Sequence, residues 1–566
     1  MSETYPRPWR AQYPDSVSPD IAELPDRSLA AQIDRVCAQY ADRPAFTNMG
    51  TTLTFAEIGR LSDAVAAYLL GDLGLGKGDR VAIQMPNVLQ FPVIEFGVMK
   101  AGLVPVNLNP LYTVPEMKEL IEQAGPKAFF VLENFAYKIA QLVDEVPIDH
   151  FIVTGAGDLF GPAKRAAVAT GLKIKRMVPA YRIPGRIRFR DVLRAGRGQA
   201  YQRPEIGLDD LALLQFTGGT TGGPKGAMLT NRSLLSNGRQ MLDEMRLVLD
   251  EGQDVVLAAL PLYHIFCLTV NCITFFGYGL HNVLVTNPRD VDGLTKTILR
   301  WRPVLMMLVS TLANALLDHP RFVHGDVSAF KFCVSGGATL NPRTAQRWLD
   351  LVGTPIIEGY GLTEASPVVA VSPTWMLPET KLGTVGLPLP STDVKILDDD
   401  RNLVPLGQPG ELWVHGPQVM AGYWNQPDET ARVLDAERWL DTGDIAVLGE
   451  DGSISIVDRK KDMVCVSGFN VYPNEIEQAL RGCPKIRDVG VIGVPDEHSG
   501  EVVKAFIVKA DETLTEEEVR RYARTCLAGY KRPHQIEFRD ELPTSDTGKI
   551  VRRQLREAEV DAGSAS

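Results

Sequence analysis

Cysteine is sparse and unpatterned. The seven residues (Cys37, Cys267, Cys272, Cys333, Cys465, Cys483 and Cys526) are scattered, and no pair has C-x-x-C spacing. Neither a disulfide framework nor a zinc site is supported, and the natural compartment is a reducing one. Basic charge is also short. Lys and Arg number 59 against 70 Asp and Glu, a net charge of -11, which argues against a whole-chain nucleic-acid binder. The first 28 residues have no apolar core segment, so no secretory signal is read there. Compositional bias is lacking too: 45% hydrophobic and 23% charged residues are ordinary for globular chains and fit neither disorder, collagen nor coiled coil. No repeat of fixed period is apparent.

One long stretch lacks charge altogether. From Val255 to Pro288 there is no Asp, Glu, Lys or Arg, and the run is long enough to span a bilayer. Pro261, His264, Asn271, Gly277, Gly279, His281 and Asn282 interrupt it, and no flanking Lys/Arg clusters mark a topology. It is read as a buried helix followed by a buried strand, the helix suited to lining an apolar tunnel.

At ~150 residues per domain, 566 residues make three or four domains, or fewer if some are large. The first half alternates helix and strand: helices over Leu61–Asp72 and Phe91–Ala101, strands over Arg80–Met85 and Leu103–Val106, with short connections. That pattern predicts an α/β fold whose parallel sheet is covered by helices. After Val385 short strands follow (Val394–Leu397, Glu411–His415, Ser453–Val457), predicting a β-rich module. DRKKDM at Asp458–Met463 is polar between two apolar strands, a candidate hinge. An α+β tail follows, in which Thr515 and Glu518 form a capping box, the helix continues through Cys526, and Gly529 is placed to end it. The chain is thereby divided into a large N-terminal domain over 1–457, with 386–457 as its β-rich module, a hinge at 458–463 and a small mobile domain over 464–566. Between Gly161 and Gly198 eleven Lys/Arg stand against one acid, Asp191. This local inversion reads either as a solvated insertion or as a patch for anionic lipid, to which each basic residue contributes about 1 kcal/mol.

The strongest chemical signal is LQFTGGTTGGPKGAMLT at Leu214–Thr230. Three Thr and five Gly fall within ten positions, with Lys225 among them. Glycines let backbone N–H groups turn inward, hydroxyls add donors and the lysine adds charge, which together make a phosphate cradle. It is not a Walker A loop, because Lys225 follows Pro224 and no G-K-[ST] ending exists. EGYGLTE at Glu358–Glu364 offers Tyr360 for stacking a base, the Thr363 hydroxyl, and Glu364 as a hard oxygen ligand for Mg²⁺. WLDTGD at Trp439–Asp444 places a carboxylate in a tight turn, able to accept from both hydroxyls of a ribose.

These strings, with PLYHIF at Pro261–Phe266, DRKKDMVCVSGFNVYPNEIE and the terminal LPTSDTGK, occur in the order of the acyl-adenylate-forming superfamily, which the chain resembles from about Leu29 to Leu555. Within it the chain is most similar to the bacterial long-chain fatty-acid–CoA ligases of β-oxidation, with NPRD at Asn287–Asp290 and GPQVMAGYW at Gly416–Trp424 also typical. The resemblance implies ATP, Mg²⁺ and coenzyme A as cofactor and co-substrates, and a fatty acid as the acyl donor. It implies that Thr217, Gly218, Gly219, Thr220, Thr221, Gly222 and Lys225 hold the β- and γ-phosphates, with Thr217 and Glu364 near Mg²⁺. Gly336, Gly337 and Ala338 would line the adenine and acyl pocket; Glu358, Gly359 and Tyr360 would frame the adenine; Thr363 would contact the α-phosphate.

By the same resemblance Asp444 and Arg459 would bind the ribose, and Lys549 would bridge the carboxylate and the α-phosphate. Thr217, Glu364 and Lys549 form the expected catalytic set. His264 would sit beside the acyl group, the hinge would fall on Lys461, and Gly468 would face the coenzyme A channel. Cys465 departs from homologues that carry a Lys there. Other readings are a ligase for a medium-chain or aryl acid, or a non-catalytic acyl-binding or transport protein. A degenerate member of that last kind would be expected to lose Lys549, Glu364 or Asp444, and all three are present. The expected setting is the cytoplasm, with peripheral attachment to the inner membrane through anionic lipid; no nucleic-acid partner is expected, and a homodimer is compatible with the resemblance.

Overall fold

A computed structural model describes residues 7–217, 223–337, 340–377, 382–466, 469–496, 499–545 and 549–564. Among them, two large sheets carry the N-terminal part. In one, strands His150–Thr154, Ala128–Leu132, Arg80–Gln84, Val104–Asn107 and Leu211–Thr217 lie side by side and parallel, and Lys225–Thr230 closes the edge antiparallel to Leu211–Thr217. In the other, Pro44–Asn48, His281–Leu284, Val255–Ala258, Leu305–Leu308, Cys333–Gly336 and Ile356–Gly361 run parallel, with Val368–Val371 turned back on the last.

The predicted alternation is present, with small changes. The helix expected from Leu61 begins earlier and spans Phe55–Gly71. The reason is a capping box in which the Thr54 side chain accepts from Glu57 N–H and Glu57 returns to Thr54 N–H. The helix Gln90–Lys100 is buried on every face, between the sheets; its lack of amphipathic contrast follows. The uncharged stretch forms strand Val255–Ala258, a short helix Ile265–Cys267 that continues as a π-helix over Leu268–Phe275, and strand His281–Leu284. The π-helix is buried at every position. Among the described residues no helix is long and apolar enough to cross a membrane.

The β-rich module is an antiparallel sheet of Asp393–Leu397, Pro409–His415, Leu440–Leu448 and Ile454–Arg459. Past the 3-10 turn Lys460–Asp462, strands Val464–Val466, Phe469–Val471, Ile486–Asp496, Gly500–Lys509 and Gln535–Arg539 make a further sheet around cores of their own, centred on Val489, Val491, Ile507 and Val519. The capped helix is Glu516–Cys526. It ends three residues before Gly529, which instead opens a 3-10 turn over Gly529–Lys531; Leu527 caps the helix in an extended conformation, so no left-handed glycine is needed there. All seven cysteines are free, with Cys465 and Cys526 exposed.

Candidate active site

In open α/β sheets ligands bind beyond the carboxyl ends of the strands. Here the ends of both large sheets meet. Thr217 closes strand Leu211–Thr217, Gly336 closes Cys333–Gly336, Gly359 and Tyr360 lie near the end of Ile356–Gly361, and His264 follows Val255–Ala258. All five border one cavity of about 1040 Å³, together with Lys225, Gly337, Thr363 and Glu364 from the same large domain, Arg459 and Lys461 from the end of the β-rich sheet and the turn after it, and Lys549 from the C-terminal tail.

Backbone conformation explains one glycine and close approach another. Gly337 has φ +90°, a conformation L side chains rarely adopt, and a Cβ on Gly361 would stand 2.0 Å from the Pro367 carbonyl oxygen. Gly218, Gly219, Thr220, Thr221, Gly222, Ala338 and Gly468 lie outside the described residues.

Two predicted polar residues sit behind the wall. Asp444 is buried; its carboxylate accepts from the Tyr360 hydroxyl at 2.6 Å and pairs with Arg459 Nε at 3.0 Å. Burial and the adjoining carboxylate push the Tyr360 phenol well up, so it stays a donor. Glu358 accepts from the backbone N–H groups of Leu340, at 3.1 Å, and Gly383, at 3.2 Å, fixing the loops on either side of its strand.

Arg459, Lys461 and Lys549 bring three cations to one end of the cavity. Lys549 is exposed to the cavity it borders; desolvation by the surrounding protein, then the Arg459 charge, lower its ammonium to about 8. His264 accepts from Phe266 N–H through Nδ1 at 3.3 Å, and burial with the nearby Lys549 lowers it to about 4, so it is neutral at pH 7. The remaining wall is apolar. Thr230 caps helix Asn231–Met245, and Met241 and Met245, one turn apart on it, line the cavity together with Val270, Val334 and Val371.

Sequence reasoning missed three participants. Tyr423 donates its hydroxyl to Glu364 Oε1 at 2.7 Å and lies under the Lys225 ammonium, 5.3 Å from its ring centre. Glu429, on helix Pro427–Val433, pairs with Lys225 at 2.5 Å. Arg552 joins the strand Ile454–Arg459 to the turn and helix that follow it. It reaches buried Asp458 at 3.3 Å on one side, and Asp462 at 3.4 Å and Glu477 at 2.7 Å on the other. Tyr423 was visible only as part of a familiar string; for Glu429 and Arg552 no local signal existed, since their partners are 204 and 94 residues away.

For a magnesium ion the available donors are hard oxygens. Glu364 offers one carboxylate, oriented by Tyr423, and Thr217 a hydroxyl at the strand end. Among the described residues no group of three or more His, Cys, Asp or Glu could hold a metal. One carboxylate with one hydroxyl suits Mg²⁺, which keeps waters and takes its other ligands from phosphates.

Residues 33–424 match the AMP-binding enzyme family, and residues 475–549 match the AMP-binding enzyme C-terminal domain. The long-chain-fatty-acid–CoA ligase of Yersinia pestis is 49% identical, over 98% of this chain and 98% of its own. That of Escherichia coli O6:H1 is 48% identical, over 97% and 98%. The crystal structure of ATP-bound MatB from Rhodopseudomonas palustris shares 29% identity and a TM-score of 0.81, covering 94% of this chain and 98% of that one. With one family spanning most of its length and relatives near half identity from end to end, the chain belongs to the AMP-binding enzymes.

Proposed function

We propose that the protein is an AMP-forming long-chain fatty acid–CoA ligase. The observation that carries this reading is a single cavity whose lining joins the cations Lys225, Arg459, Lys461 and Lys549 to an apolar wall built on Met241, Met245 and Val270. The close relatives carry that activity in their names.

A carboxylate is a poor acyl donor, so one of its oxygens first attacks the α-phosphorus of ATP. The bond to the β-phosphate bridging oxygen breaks and pyrophosphate leaves, giving acyl-AMP. The two reactants repel, and Lys225 and Lys549 offset their charge. Thr217 and Glu364 would hold Mg²⁺, whose charge when bound further neutralises the phosphates. Tyr360 offers its ring to the adenine, Thr363 its hydroxyl to the α-phosphate, and Asp444 with Arg459 the ribose contacts. Neutral His264 lines the acyl mouth without adding charge. In the second step the coenzyme A sulfur attacks the acyl carbonyl, the bond to AMP breaks, and the thiol proton passes to solvent.

Lys461 is the pivot of this reading. It lies between the β-rich sheet and the last domain, and rotation there would withdraw Lys549 and open a thiol channel past Gly468. The test is pyrophosphate release with palmitate and with cinnamate, each with and without coenzyme A. Release with palmitate, completed by thioester when coenzyme A is added, is expected. Preference for cinnamate would make it an aryl-acid ligase, and no release with either acid would make it a binding protein.

Peripheral membrane attachment belongs to the same proposal. Helix Pro162–Ile174 buries none of its residues, and Ile174 is 77% and Met177 51% exposed beside Lys173, Lys175 and Arg176. Apolar tips flanked by cations suit an anionic lipid surface. Lys164 stands apart, since it hydrogen-bonds the Met49 carbonyl and the Thr51 hydroxyl. Co-sedimentation with anionic vesicles at low salt is expected, and its loss when Lys173, Lys175 and Arg176 become Gln. Absence of binding would reduce the segment to a solvated loop.

A further inference from the structure

Lys225 is already neutralised by the protein. Its ammonium bonds one carboxylate oxygen of Glu429, while the other oxygen of Glu429 accepts from Arg432. Lys225 thus meets two protein groups, the Glu429 carboxylate and the Tyr423 ring face. Glu429 keeps a cation of its own if Lys225 turns away, so the exchange strands no charge. Lys225 and Glu429 are 20% and 28% exposed, a half-open setting in which such a pair is held weakly enough to trade partners.

We infer that Glu429 is a positioning residue that competes with polyphosphate for Lys225, weakening the hold on ATP and on pyrophosphate alike so that the product departs. The inference rests on the proposed role of Lys225 as a phosphate ligand. A polyphosphate drawn to Lys225 meets a second anion on the same ammonium, whether the lysine swings toward it or holds both. Adenylation is the step that gains: acyl-AMP and pyrophosphate revert to substrates while both remain bound, and a carboxylate waiting to recapture Lys225 favours release. The cost falls on ATP affinity, which a substrate in excess tolerates. Tyr423 links the exchange to the rest of the site, because the ring under Lys225 carries the hydroxyl that orients Glu364.

The test uses the full chain with palmitate and compares wild type, E429Q, E429D, K225M and K225M/E429Q. Each is measured for ATP KM, inhibition constant for pyrophosphate, and KM for palmitate and coenzyme A; melting temperatures confirm folding. E429Q keeps the shape of the side chain and removes its charge. It is expected to lower ATP KM and the pyrophosphate inhibition constant together, about two- to five-fold as for a half-exposed ion pair, with both palmitate and coenzyme A KM unmoved. E429D should restore values close to wild type, and E429Q should have no effect in the K225M background. Unchanged or raised constants in E429Q, or an equal effect with and without Lys225, would overturn the inference. If K225M itself leaves ATP KM unchanged, the phosphate role of Lys225 fails and the exchange fails with it; if K225M raises ATP KM and E429Q is silent, only the exchange fails.

Discussion

The Tyr360 hydroxyl donates to the Asp444 carboxylate across 2.6 Å, joining a strand end of the large domain to the β-rich sheet. In the proposed reading one side chain would serve two parts of a nucleotide: the ring for the base, and the hydroxyl for the carboxylate that would hold the sugar. Arg459 grips the same carboxylate from the end of the neighbouring strand Ile454–Arg459.

Removing only that hydroxyl isolates the second role. Tyr360→Phe keeps the stacking face and leaves Asp444 with Arg459 alone. A hydrogen bond to a charged acceptor is worth about 1.5 kcal/mol at the low end, so ATP KM should rise roughly ten-fold. Palmitate KM should not move. Steady-state kinetics at varied ATP check this, and an unaltered ATP KM would show that Asp444 does not depend on Tyr360.

Lys549 gives a pH signature. Its ammonium lies near 8, so below that pH the charge is present and above it the charge is lost. If adenylation needs the charge, kcat/KM for acyl-AMP formation should fall as pH rises through about 8, while thioester formation from supplied acyl-AMP should show no such limb. Lys549→Ala should abolish the first half-reaction and largely spare the second. Lys549→Arg, always charged, should remove the alkaline limb; equal loss of both half-reactions in the alanine variant would end this assignment.

Much of this was legible in the chain because the chemistry is written in contiguous strings. The Gly/Thr loop, EGYGLTE and WLDTGD each follow or occupy a strand, so local pattern locates both the element and the functional end. What stayed hidden was assembled by the fold. The Glu429–Lys225 pair and the Arg552 bridge join segments far apart in sequence, and no periodicity encodes them. The helix end at Gly529 was misread because a glycine after a helical run imitates a left-handed cap, whereas the chain leaves that helix in an extended conformation.

The hinge can be examined by fixing it. Lys461 sits in the 3-10 turn Lys460–Asp462, whose φ range near -60° a proline shares. Lys461→Pro should therefore hold the arrangement in which Lys549 borders the cavity. Acyl-AMP formation is expected to stay within about three-fold of wild type and thioester formation to fall by roughly two orders of magnitude, as for a blocked domain rotation. Single-turnover measurement of each half-reaction decides it; equal rates for wild type and variant in the second step would place the pivot elsewhere.

Chain length should be set on the helix that carries Met241 and Met245. The two residues stand one turn apart on the cavity face, nearly fully buried, and Val270, Val334 and Val371, which line the same cavity, are branched and stiff. Methionine is the adjustable member of such a wall, since its unbranched chain yields to a neighbour. Met245→Trp would fill space that a long chain occupies and leave Lys549, Glu364 and Thr363 untouched. Each methylene denied burial costs about 0.8 kcal/mol, so excluding three or four should lower kcat/KM for palmitate about 100-fold. If octanoate ends before Met245, as this placement of the acyl site requires, it should keep its activity within a few-fold. Competition between the two acids in one reaction, with acyl-CoA products resolved by chain length, measures the ratio directly. A parallel fall for both acids would mean that the tryptophan disturbs the reacting end, and an unchanged ratio would move the end of the acyl site to another wall.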